Sequence, residues 1–93
     1  MVELKKSVID IISKSIPEFE SVELKGNVGD NSYSIEFFLT INGERKQCYE
    51  LVDNGFISEV TCDNICKEIV DKFRQIKACK KGEQNKLQLT IVK

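Results

Sequence analysis

Ninety-three residues, 41% hydrophobic and 31% charged, describe one small globular domain, residues 1–93, with no length for a second. Fourteen Lys and Arg stand against fifteen Asp and Glu, a net charge of −1 that speaks against a general nucleic-acid binder. The lack of His excludes Ser–His–Asp triads, His-assisted thiol chemistry and most catalytic zinc sites, and no apolar run is long enough to span a membrane.

Residues 3–16 read as an amphipathic helix. Leu4, Val8, Ile11, Ile12 and Ile16 keep helical spacing, Glu3, Lys6, Asp10 and Lys14 face away, and Pro17 ends it. The charges in this stretch do not fit a signal peptide. From Phe19 the period becomes two, with Val22 and Leu24 on one side of a strand. Gly26, Gly29, Asp30 and Asn31 mark a turn. A second strand follows, with Tyr33, Ile35, Phe37, Leu39 and Ile41 on one face and Glu36, Phe38 and Thr40 on the other. Asn42-Gly43 predicts a hairpin.

The returning strand is expected over 45–52. A two-residue loop would pair Ile35 with Glu50 and Phe37 with Cys48. A three-residue loop bulged at Gly43 sets Tyr49 and Leu51 beside Ile35 and Tyr33. The bulged loop is preferred because it gathers the apolar side chains. Asp53-Asn54-Gly55 closes this meander. A second helix is expected over about 60–80, with the stripe Cys62, Ile65, Cys66, Ile69, Val70, Phe73 and Ile76. Ser58 or Thr61 would cap it, and Gly82 would stop it. Residues 83–86 read as a polar turn, and Leu87, Leu89 and Ile91 mark a last strand. The expected fold is α+β in the order α-β-β-β-α-β: a four-stranded, mainly antiparallel sheet with two helices on one face.

Four cysteines raise the question of metal. Cys62 and Cys66 share a helical face, but Cys79 would lie four to five turns further along the same helix, so no zinc site is expected. Reduced, buried thiols and a cytoplasmic home are expected instead. Glu36 and Glu50, on neighbouring strands, could form an acid–base pair. A domain this small offers little cleft for a small-molecule substrate, and there is no phosphate loop or dinucleotide motif. No enzyme activity and no cofactor are expected.

Charge layout says more than its total. Residues 16–63 hold ten acids and three bases, whereas residues 64–93 hold eight bases and three acids. An acidic centre of this kind suits a basic protein partner. The basic residues Lys72, Arg74, Lys77, Lys80 and Lys81 lack interleaved aromatics and share their helix with Glu68 and Asp71, so no nucleic acid is expected.

The run Ser15-Ile16-Pro17-Glu18-Phe19-Glu20-Ser21-Val22, then Gly29-Asp30 and Ser32-Tyr33-Ser34-Ile35-Glu36-Phe37-Phe38, resembles the opening of YezG-like immunity proteins. The likeness covers about residues 8–76. Phe19 stands where that family usually has Trp, and one final strand stands where the family has a further strand pair. The resemblance implies an antitoxin that binds and blocks a cognate secreted toxin, often a nuclease, and brings no catalytic residues. The expected contacts are Asp53, Glu59 and Asp63, with Glu50 and Asp30 behind them and Tyr49 or Phe56 as an aromatic anchor. The competing reading is a small acidic secretion chaperone that works as a dimer.

Overall fold

The computed structural model describes residues 2–77 and 82–93. The expected end of the second helix, with Cys79, Lys80 and Lys81, lies outside the described residues.

Helix α1 spans Val2–Ser13 and buries Leu4, Val8 and Ile12. It is shorter than the spacing predicts. The Ile16 amide still donates to the Ile12 carbonyl at 2.8 Å, a last turn that delivers Ile16 to the core before Pro17 ends the run.

Strands β1 (Ser21–Val28), β2 (Tyr33–Ile41), β3 (Glu44–Gln47) and β4 (Asn85–Val92) form one sheet in the order β3-β2-β1-β4. All neighbours are antiparallel. Val22, Leu24 and Val28 of β1, Phe37 and Leu39 of β2, and Leu87 and Ile91 of β4 turn to one face and join the helices in a single core. Gly26 lies inside β1 rather than in the turn that the sequence suggests. A side chain there would meet the Ser34 carbonyl of β2, so the close approach of the two strands requires glycine. The turn proper is 29–32, closed by the Gly29 amide on the Ser32 carbonyl at 2.8 Å.

The third strand departs most from expectation. β3 pairs Ile41 with Glu44 and Phe38 with Gln47, the register of the two-residue loop, not the bulged one. Asn42 and Gly43 have φ of 52° and 78°, as a tight hairpin turn of this kind needs. Glu20 explains the choice, since its two carboxylate oxygens accept the Asn42 and Gly43 amides, each at 3.0 Å. After Gln47 the chain leaves the sheet as a short helix, α2 (Cys48–Asp53). The helix buries Leu51, which the bulged strand was meant to do, and leaves Tyr49 outside.

Helix α3 spans Glu59–Ile76 and buries Cys62, Ile65, Cys66, Ile69, Val70 and Phe73, the expected stripe except for Ile76, which lies exposed in the last turn. Ser58 is its N-cap, accepting the Thr61 amide at 3.1 Å. It ends at Lys77, before Gly82 is reached. β4 begins two residues earlier than the apolar alternation indicates, at Asn85. The α-β-β-β-α-β order therefore holds, with α2 inserted between β3 and the long helix.

Candidate functional site

The acids of the central segment fall into two groups. One group is engaged within the molecule. Glu20 holds the hairpin turn. Glu23 lies on the open sheet face between the Lys25 ammonium at 3.2 Å and the Arg45 guanidinium at 3.1 Å, and these cations hold its carboxyl below the ordinary value. The Arg45 guanidinium also covers Phe38, 4.0 Å from the ring centre. Glu36 accepts from the Gln47 side-chain amide. Glu50 accepts the Gln47 backbone amide at 3.2 Å, the capping-box contact that starts α2. Glu36 and Glu50 thus do not sit side by side on strands. Glu50 is helical, and Gln47 engages each acid through a different group.

The second group, which includes Glu18 and Asp30 as well as three acids of the 53–63 segment, is unpartnered among the described residues. The side chains of Asp53, Glu59 and Asp63 are exposed and make no hydrogen bond or ion pair among the described residues. Asp53 ends α2, four residues after Tyr49 and on the same helical face. Glu59 opens α3, and Asp63 follows it by one turn on the same face. The turn between the helices carries Phe56, folded back so that its amide donates to the Leu51 carbonyl at 2.9 Å. Core is the commoner fate for such aromatics, yet Tyr49 is 57% exposed and Phe56 47%. Val60, not foreseen from the sequence, is 68% exposed between Glu59 and Asp63. Residues 49–63 therefore present three carboxylates and three large apolar side chains in one continuous stretch.

Two expected residues do not join it. Glu50 is half-buried and occupied by the cap. Asp30 sits in the β1–β2 turn, which Arg74 grips by donating to the Gly29 and Ser32 carbonyls at 3.0 and 3.1 Å. Arg74 lies fifteen residues beyond Glu59 on α3, roughly 22 Å along the helix, so Asp30 belongs to the far end of the molecule.

Phe56 also borders a groove of about 810 Å³, whose apolar lining includes Ile16, Pro17, Phe19, Ile41 and Val92. Lys93 closes one side, its ammonium donating to the Pro17 carbonyl at 2.6 Å and lying 4.3 Å from the centre of the Phe19 ring. Nothing in the sequence announces this meeting of residues far apart in the chain.

Cys48, Cys62 and Cys66 are free thiols. Burial, with the neighbouring Cys48, pushes Cys62 up to about 11, and burial with Cys62 pushes Cys66 up to about 12. Burial thus holds both thiols in their protonated form at neutral pH. Among the described residues no group of three or more His, Cys, Asp or Glu is placed to hold a metal ion, and no helix is long and apolar enough to cross a membrane. No protein-family model matches the chain, and no curated protein matches it at a significant level.

Proposed function

We propose that the chain is an immunity protein that binds a cognate toxin domain and covers its basic active-site surface with the carboxylates of the α2–α3 segment. The observation that carries this reading is the set of unpartnered acids, Asp53, Glu59 and Asp63, beside exposed Tyr49, Phe56 and Val60. Carboxylates steer a basic partner and fix its orientation, while aromatic side chains supply the buried anchors that dominate binding energy. The YezG-like resemblance of residues 8–76 supports the same reading. Inhibition is by occlusion, so no catalytic group is needed on this chain.

The test reverses three charges together, Asp53→Lys, Glu59→Lys and Asp63→Lys, and measures affinity for the cognate toxin domain. Affinity falls by about a hundredfold or more. Asp30→Lys, at the far end of α3, changes it by less than about threefold. Unchanged affinity in the triple variant would exclude this surface.

A further inference from the structure

The free edge of the sheet carries a second inference, independent of the toxin-blocking reading because it concerns another part of the molecule with the opposite charge. β4 is the last strand, at the other edge of the sheet from β3, and β1 is its one neighbour among the described residues. The Lys93 amide donates to the Glu20 carbonyl at 2.9 Å. Alternation along the antiparallel ladder then turns the backbone groups of Leu87, Leu89 and Ile91 toward β1. Those of Lys86, Gln88, Thr90 and Val92 point outward, with nothing among the described residues paired to them.

Natural edge strands are normally blunted by central charges, proline, bulges or a covering segment. Among the described residues, β4 has none of these along its middle. From Leu87 to Val92 the run has no charge and no proline, and its register with β1 continues without a bulge over the whole strand. Val92 is 79% exposed. Such an edge is a template for another strand.

Charge selects the occupant. Lys86 and Lys93 bracket the uncharged run, and β4 itself contains no acid. A second copy paired edge to edge would bring the lysines of both copies to one seam, where like charges oppose pairing. A nucleic acid would supply anions, but not the alternating amides and carbonyls that the outward groups require. A protein segment with carboxylates at both ends of an uncharged, β-branched centre satisfies both demands. We propose that the edge of β4 takes an acidic extended protein segment as a fifth strand. Main-chain bonds to Lys86, Gln88, Thr90 and Val92 supply the affinity, and Lys86 and Lys93 select the acidic flanks. Lys93 retains donors for this after its bond to Pro17, since an ammonium has three.

The probes are a synthetic peptide of about ten residues, alternating Thr and Val with Glu at both ends, its Lys-flanked twin, and a single-stranded RNA of similar length. Amide hydrogen exchange is followed residue by residue on the full chain, with each probe and with protein alone over a range of concentrations. The acidic peptide is expected to slow exchange at Gln88, Thr90 and Val92 by about tenfold or more, leaving Leu87, Leu89 and Ile91 little changed, while the Lys-flanked twin does not. Thr90→Pro removes an outward donor without touching a bond to β1, and should weaken the acidic peptide by about tenfold. Should that variant not fold, Lys86→Glu gives the second reading, by weakening the acidic peptide relative to its twin. Equal binding of the two peptides, no slowing with the acidic one, protection that appears with protein concentration alone, or protection with RNA alone would each overturn the proposal.

Discussion

Gly26 and Gly43 look alike in the sequence, yet the structure gives them different burdens. A methyl group at Gly26 would lie 2.0 Å from the Ser34 carbonyl, whereas one at Gly43 would meet nothing within 4 Å. Gly43→Ala therefore costs only its left-handed backbone, about 1–2 kcal/mol. Gly26→Ala must also push β1 and β2 apart and should cost more, about 3 kcal/mol or above, read by chemical denaturation. The cysteines make a second contrast at this scale, because burial favours their protonated form. A thiol whose folded pKa is raised contributes stability that is fully present below its ordinary value and is lost as pH rises toward the folded one. For Cys62 and Cys66 that window runs from 9.0 up to about 11 and 12. Stability should therefore fall across this alkaline range. The paired variant Cys62→Ala and Cys66→Ala should start lower but lose less over the same interval, as measured by denaturation at stepped pH.

Carboxylates that look equivalent in the chain should also separate by the element each one serves. Glu20 secures the β2–β3 turn and Glu50 starts α2. Glu20→Ala and Glu50→Ala are each expected to lower stability by about 1 kcal/mol. Asp53→Asn, Glu59→Gln and Asp63→Asn should stay within about 0.5 kcal/mol of the parent, since their side chains bond nothing among the described residues. Thermal melts of the five variants check this division, and equal losses in both sets would remove it. The same residues show where the sequence was legible. The α1 and α3 stripes and the β2 alternation have one period each, so their faces could be read directly. Residues 48–53 satisfy two. Tyr49 and Leu51 alternate as in a strand, but Cys48, Leu51 and Val52 follow the helical i, i+3, i+4 spacing, and these are the side chains that turn inward. The deciding signal was Gln47 with Glu50 three residues on, a capping pair read only as strand residues. The hairpin register was hidden for a different reason. Its clamp, Glu20, comes from a residue more than twenty positions away.

At the scale of the molecule, the total charge of −1 conceals a separation that the fold sharpens. Internal pairing removes Glu20, Glu23, Glu36, Glu44 and Glu50 from the acidic centre, and of the five carboxylates left without a partner among the described residues three, Asp53, Glu59 and Asp63, gather along residues 53–63. The acidic segment was thus legible as composition, but its membership depended on contacts that no spacing rule contains. Glu50 drops out because the α2 cap holds it, Asp30 because it lies at the far end of the molecule, and Val60 enters. The separation gives the toxin-binding reading a kinetic signature. Exposed charges beyond a Debye length are screened by salt, whereas buried apolar contacts are not. Association with the toxin domain should slow by about tenfold or more between 0.05 and 0.5 M salt, roughly the range over which screening removes steering. In the Asp53→Asn, Glu59→Gln, Asp63→Asn variant this dependence should flatten. Tyr49→Ala and Phe56→Ala should keep the salt dependence and instead raise the dissociation rate, because an anchor acts after encounter. Stopped-flow rates separate the two effects, and a steep salt dependence that persists without the three carboxylates would place the steering charge elsewhere on the molecule.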